Sequence, residues 1–168
     1  MTSDSEKTVL LSGGFDPVHV GHVRMIRAAS ELGRVVVAVN SDDWLMRKKG
    51  YIFMPWPERT EILRAILGVA EVVAVEDDDG TVCEVLKKLQ PDIFGNGGDR
   101  TNKNTPEKAT CQELGIKMIW ALGGKKIQSS SELVSESNLV STLPTDPDIP
   151  QPDRVLILRG LKGKDCEN

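Results

Sequence analysis

Val9-Leu10-Leu11-Ser12-Gly13-Gly14-Phe15-Asp16-Pro17-Val18-His19-Val20-Gly21-His22 carries the strongest structural signal in the chain. It opens on a short apolar run, passes through paired glycines and reaches two histidines at the mouth of an apolar-periodic segment. A buried strand, a tight turn and a helix start reproduce that order. A helix N-terminus presents unpaired N–H groups and a partial positive charge. Glycines ahead of it let the backbone approach phosphate with no Cβ in the way. Imidazoles at such a place can donate to phosphate oxygens as charge builds on them. His19 and His22 are also the only two histidines of the chain, which makes this turn a candidate triphosphate site.

The rest of the chain supplies the context that such a turn requires. Thr8 to Leu11 reads as a buried strand and Val20 to Leu32 as a helix stopped by Gly33. Arg34 to Val39 is a β-branched run suited to a central parallel strand, and Asn40 to Asp43 closes it and can cap a short helix. Pro57 suits the first turn of a helix through Leu67. Further strands are expected at Glu71 to Val75, Asp92 to Phe94 and Lys117 to Leu122. Helices are expected at Thr81 to Leu89, Pro106 to Leu114 and from Glu132 onward. Asp77 to Gly80 reads as a solvated turn. Strand and helix alternating at this spacing predict an α/β fold: a Rossmann-like, doubly wound parallel sheet in a single domain. Ligands of such sheets bind beyond the carboxyl ends of the strands. Polar clusters follow four of the strands here: Gly13 to His22, Asn40 to Asp42, Gly95 to Asp99 and Gly123 to Ser131.

The chain has 168 residues and a net charge of −4, which suits one α/β domain and argues against a general nucleic-acid surface. Cys83, Cys111 and Cys166 have neither zinc nor disulfide spacing and read as free thiols of a cytoplasmic protein. No apolar run is long enough to cross a bilayer, so no membrane role is expected. The domain is expected over residues 1–143. Prolines crowd residues 144–152, so 144–168 reads as an extension with one possible added strand, Val155 to Leu158, and a mobile tail.

With this context on the page, Gly13 to His22 resembles the nucleotidyltransferase superfamily marked by a His-x-Gly-His signature. Its members include cytidylyltransferases, sugar-phosphate adenylyltransferases and pantetheine-phosphate adenylyltransferase. The resemblance covers about residues 8–134. It implies transfer of a nucleoside monophosphate from ATP or CTP, carried with Mg2+, to a small phosphorylated acceptor with loss of pyrophosphate. It also implies nucleotide contacts at Gly13, Gly14, Phe15, Asp16 and Gly21, with His19 and His22 stabilising the pentacovalent transition state.

Other motifs follow the same pattern. Arg47-Lys48-Lys49-Gly50 reads as a basic loop, and the resemblance implies that a lysine from it, Lys48 or Lys49, faces the triphosphate, Lys48 being assigned. Pro57-Glu58-Arg59 resembles the family's Glu-Arg pair, which makes Arg59, with Asp42, an acceptor-binding candidate. Trp44, Trp56 and Arg100 are candidates to line the same pocket. Gly97, Gly98 and Asp99 resemble a Lys-Gly-Gly-Asp run, with Asn96 in place of the lysine. Lys126 and Ser129-Ser130-Ser131 resemble a second signature, a basic residue ahead of a hydroxyl run at a helix start, and offer a phosphate cradle. No protein-held metal is expected, since the histidine pair lacks an evident third ligand.

The acceptor is expected to be a sugar or polyol phosphate, with ATP slightly ahead of CTP, and relatives of this kind are often homodimers. The alternative from another class is a nucleotide-binding sensor without turnover, kept open by Asn96 and Gln128.

Overall fold

The computed structural model describes residues 6–98 and 105–142. By their contacts the residues fall into two compact units, Met1–Ser130 and Ser131–Asn168, and the site described below belongs to the first. The expectations placed on Asp99, on Arg100 and on the extension 144–168 lie outside the described residues.

Five parallel strands form the first unit's sheet: β1 (Thr8–Gly13), β2 (Arg34–Val39), β3 (Val69–Ala74), β4 (Ile93–Gly95) and β5 (Lys117–Ile119). Their order is β3-β2-β1-β4-β5, so the chain winds one way from β1 and then crosses back to place β4 on its other side. That reversal puts the topological switch point at the carboxyl ends of β1 and β4. In the central strands, alternate residues enter two different cores because successive side chains of a strand point to opposite faces. Val9, Leu11, Val35 and Val37 pack with Ile26 and Leu63, from helices α1 (Val20–Ser30) and α3 (Trp56–Arg64). Leu10, Val36 and Ala38 pack with Leu86 and Cys111, from α4 (Cys83–Leu89) and α5 (Lys108–Glu113). Strands buried on both faces read as unbroken apolar runs, and this is the physical content of the Rossmann-like, doubly wound fold.

Several local expectations are corrected. The basic run 47–49 is not a loop but the last turn of α2 (Asp42–Lys49). Ser41 caps that helix at its start, Asp42 and Asp43 occupy its first turn, and Gly50 closes it in the left-handed region at φ 78°. Acid at the start and base at the end both suit the helix dipole. The first helix ends at Ser30, with Glu31 rather than Gly33 as its C-cap. Gly33 instead turns the chain into β2 at φ 153°. β3 starts two residues and ends one residue earlier than expected, and β5 stops at Ile119, where positive φ at Ala121, Gly123 and Gly124 turns the chain away. Asp77, expected in a solvated turn, is buried at 3% exposure. Its carboxylate accepts from the Asn40 side-chain amide, the Ser41 N–H and the Ser41 hydroxyl. Those donors lie at the end of β2, so an acid from the β3–α4 connection holds the turn into α2.

Cys83 and Cys111 are thiols, and burial pushes Cys111 up to about 11. Among the described residues no helix is long and apolar enough to cross a membrane.

The glycines separate two kinds of constraint. A Cβ at Gly33 would lie 2.0 Å from the Lys7 carbonyl oxygen, whereas one at Gly115 (φ 67°) would meet nothing within 4 Å. Gly115→Ala is therefore expected to cost about 1 kcal/mol, the penalty of a left-handed alanine alone. Gly33→Ala adds a backbone clash and is expected to cost on the order of 3 kcal/mol. Thermal unfolding of the two variants checks this, and equal losses would contradict it.

Candidate functional site

The signature turn is built around the start of α1. His19 is the N-cap residue of that helix, in an extended conformation. Its Nδ1 accepts the N–H of Gly21 at 3.1 Å, while the N–H of His19 donates to Nδ1 of His22 at 3.2 Å. This is a reciprocal capping arrangement in which imidazoles fill the places that a serine and a glutamate commonly take. The rings stack with centroids 3.8 Å apart and planes 24° apart, and Phe15 lies against His22 at 4.8 Å. Nδ1 can accept only when it carries no proton, so in the neutral rings the proton resides on Nε2. Each neutral ring therefore carries its donor on Nε2.

Gly21 is explained by the ring and not by the helix. A Cβ there would sit 2.9 Å from His19 Cε1 and 3.0 Å from His19 Nδ1. Phe15, buried at 2% exposure, takes φ 51°, a left-handed conformation uncommon outside glycine, and its ring also packs over Gly13. Gly14 passes beneath α2, where a Cβ would reach within 2.8 Å of Leu45.

On the other side of the switch point, glycines let three segments close on one another. A Cβ at Gly98 would lie 2.5 Å from the Gly124 carbonyl and 3.0 Å from the Lys126 nitrogen. A Cβ at Gly123 would lie 2.6 Å from the Met25 nitrogen, and Gly97 faces the Met25 sulfur. The Asn96 N–H donates to the Ile119 carbonyl, and the Asn96 carbonyl accepts from Leu122. The loops after β4 and β5 are therefore packed against each other and against α1. Lys126 is exposed on that second loop and Ser129 is half-buried. The Ser130 hydroxyl, at the end of the first unit, donates to the Pro17 carbonyl of the signature turn at 2.9 Å. Ser131 opens the second unit and is exposed.

The two candidate lysines of α2 have different surroundings. Lys48 lies over the Trp44 ring, 4.3 Å from its centroid. Lys49 donates to the carbonyl of Asp16 at 3.0 Å, directly on the signature turn, with the Tyr51 ring 5.8 Å away. Burial is the largest influence on Lys49 and holds it below the ordinary lysine range, against the opposing pull of Asp16.

The acceptor candidates prove to be occupied by the protein itself. Arg59 is fully buried. Its Nη1 donates to the carbonyls of Gly14 and Asn40, its Nε to the carbonyl of Met54, and its Nη2 to Asp42. The other Asp42 oxygen accepts from the Trp56 N–H. A guanidinium committed to three backbone carbonyls and a carboxylate is an internal brace and not a clamp open to a ligand. Trp44 is buried beneath Lys48, and the Trp56 indole donates to the Val39 carbonyl, so these rings too are built into the fold. Asp16, expected at the nucleotide, is likewise fully buried; its carboxylate accepts from the N–H groups of Phe53 and Met54. No local pattern marks these partners, which lie 37 and 38 residues away for Asp16 and 45 for the Arg59–Gly14 bond.

A paired-histidine cap at the switch point of a five-stranded parallel sheet is what comparison with other proteins then bears on. Residues 10–145 match the model of the cytidylyltransferase-like family. The chain belongs to that family. "Bifunctional protein HldE" of Proteus mirabilis is 35% identical over 142 residues, covering 82% of this chain and 28% of the relative. "FAD synthase" of Pyrococcus abyssi is 33% identical over 120 residues, covering 70% of this chain and 80% of the relative. The chain thus spans little more than a quarter of the first relative's length and most of the second's. A crystal structure of the "lipopolysaccharide core biosynthesis protein" of Thermoplasma volcanium superposes with a TM-score of 0.59 at 23% identity, over 69% of this chain and 96% of that one. At that identity the likeness speaks for the fold.

The cap makes a prediction that needs no substrate. Long-range nitrogen–proton NMR at neutral pH is expected to record both histidines as Nε2–H tautomers; an Nδ1–H ring would contradict the geometry. Gly21→Ala is expected to disturb the His19 resonances. Helix propensity alone favours alanine at this position by roughly 0.5–1 kcal/mol, so the melting temperature should not fall in step.

Proposed function

We propose that the protein is a nucleotidyltransferase that moves AMP from ATP to a small sugar or polyol phosphate. A phosphate oxygen of the acceptor attacks the α-phosphorus, the bond from that phosphorus to the bridging oxygen of the β-phosphate breaks, and pyrophosphate leaves. The observation that carries this reading is the histidine pair. Its two rings are stacked at a helix N-terminus with Nδ1 used by the cap, so that the proton of each neutral ring sits on Nε2, beside the carboxyl ends of β1 and β4. Transfer at phosphorus needs in-line positioning and charge stabilisation more than covalent help, and preformed donors supply that.

Membership of the cytidylyltransferase-like family supports the reaction type. ATP is favoured over CTP because the Pyrococcus abyssi relative is named for making FAD, a product that carries an adenylyl group. Lys49, held on the signature turn, is the α2 lysine best placed for the phosphates, and Lys126, on the loop after β5, supports the distal ones. The magnesium belongs to the substrate, entering on the triphosphate. Among the described residues no three His, Cys, Asp or Glu side chains gather around a metal position, and the donors of the site suit phosphate oxygens.

The test is pyrophosphate release with magnesium, crossing ATP and CTP against sugar and polyol phosphates. Acceptor-dependent release with ATP is the expected outcome; triphosphate binding without release under any pairing would instead favour a sensor. His19→Ala and His22→Ala are each expected to lower kcat by roughly 10²–10³-fold. Lys49→Ala should cost more than Lys48→Ala.

The Lys49 ammonium also predicts a pH dependence. Asp16, Lys48 and Arg59 act on it along with burial, which lowers it most, and the Tyr51 ring lies beside it. A lysine is charged below its pKa, so a lowered value brings neutralisation, and loss of phosphate attraction, at a lower pH than for an exposed lysine. Activity should therefore fall on an alkaline limb below the ordinary lysine range, and Lys49→Arg should move that limb upward.

A further inference from the structure

Outside the histidine pair, the least expected feature of the molecule is a pair of fully buried, oppositely charged side chains that act on the backbone of one residue without forming an ion pair with each other. Asp16 accepts the N–H groups of Phe53 and Met54, at 2.9 and 2.6 Å. Arg59 donates to the carbonyl of the same Met54 at 3.0 Å and, with its Nη1, to Gly14 at 2.6 Å and Asn40 at 2.9 Å. Met54 is therefore gripped from both sides. Asp16 belongs to the signature turn, and Gly14 and Asn40 lie just past the carboxyl ends of β1 and β2. The gripped segment follows directly on α2, whose last residue is Lys49.

We infer that Asp16 and Arg59 are positioning residues for the transfer, which together fix the segment 50–54, and through it the Lys49 ammonium, against the histidine turn. The inference rests on the transferase reading for its catalytic consequence, but the mechanical coupling stands by itself. Burying a carboxylate and a guanidinium is costly unless every polar contact is made. Here most of those contacts are backbone groups of three different segments. Hydrophobic contacts alone could hold these segments near one another, but they are non-directional and do not fix a peptide to a fraction of an ångström. Transfer at phosphorus is sensitive to displacements of that size: about 1 Å of misplacement can cost on the order of 10²-fold in rate. Neither side chain is exposed to touch a substrate, so their contribution acts through geometry.

The experiment compares wild type with Asp16→Asn, which keeps shape but replaces one accepting oxygen by an amide, and with Arg59→Lys, which keeps charge but loses the fork. Steady-state pyrophosphate release should show kcat reduced about 10- to 100-fold, with the KM for the triphosphate within about threefold of wild type. The alkaline limb assigned to Lys49 should shift, which a loss of global stability would not produce. Amide hydrogen exchange is the second readout. In Arg59→Lys the Phe53 N–H, which Arg59 does not touch, should exchange faster, while the amides of β1 and β2 stay protected. A folded variant with wild-type kcat, or with kcat unchanged and the triphosphate KM raised, overturns the inference. If Arg59→Lys fails to fold, Asp16→Asn decides by the same kinetic criteria. If wild type releases no pyrophosphate with any pairing, the transferase reading falls, and exchange alone decides the coupling: unchanged Phe53 protection in Arg59→Lys overturns it, and faster exchange supports it.

Discussion

Every helix that begins inside a protein leaves N–H groups to be satisfied, and α1 begins at the switch point of the sheet, where sheets of this kind take their ligands. The two demands are met by the same atoms. His19 and His22 give their Nδ1 lone pairs to the helix start and to each other's backbone. The ring proton is thereby fixed on the far nitrogen, and the flat faces are pressed together. A serine–glutamate cap would satisfy the helix equally well but would present no second donor outward. Capping therefore sets the tautomer, and the tautomer sets the direction in which the site can donate. The spacing of the signature follows from this, since the cap needs partners three residues apart and the stacked ring needs a position without Cβ between them.

Around that turn, the molecule solves a recurrent problem of switch-point sites, which is that loops from several strand ends have to be held in register without a sheet to align them. Past the strand ends Phe15 and Leu45 still pack, but such contacts do not set direction. Beyond Gly13 and Val39 the work passes to buried charges that address backbone: Asp16, Asp77 and Arg59 between them hold peptides of the signature turn, the Asn40–Ser41 turn and the 53–54 segment. A buried ion pair is weak evidence for stability, because desolvation opposes the attraction. A buried charge spread over several peptide groups is different, since each contact is a charge-assisted hydrogen bond and the geometry is specified by several at once. On the β4 side, glycines at 98 and 123 achieve the same register by allowing backbone to touch backbone.

This division explains what could be read from the residues alone. The strands were legible, because a strand buried on both faces is an apolar run such as Arg34 to Val39. The alternation with helices then dictated a parallel sheet. The histidine turn was legible for the same local reason: strand, glycines and cap lie within fifteen residues. The roles of Arg59 and Asp16 were not, because an arginine destined for solvent phosphate and one destined for buried carbonyls have the same sequence neighbourhood. Only the Gly14 and Asn40 carbonyls, brought there by the fold, separate them. Asp77 was hidden within a run of four acids, 76–79, for the same reason. The helix α2 did carry its own signal, with Ser41 at one end, Gly50 at the other and acids and bases distributed to match the dipole. The density of charge at 47–49 obscured it.

Asn96 bears on whether the departures of this chain from its family's pattern matter for turnover. A lysine is the residue that the resemblance leads one to expect there, and its absence first suggests a lost phosphate contact. In the structure residue 96 is buried at 2% exposure, with its backbone bridging to Ile119 and Leu122 and its amide directed at the Phe94 carbonyl. Its main chain is thus part of the packing that joins the loops after β4 and β5. An asparagine there keeps a small polar group inside, whereas a lysine would have to carry its ammonium out past neighbouring backbone or desolvate it. The substitution consequently alters how the two loops are joined, while the histidine cap and the Lys49 contact on the signature turn are built without it. Residue 96 therefore gives no support to a sensor that has lost its chemistry, because its buried amide and main chain serve the packing of the two loops.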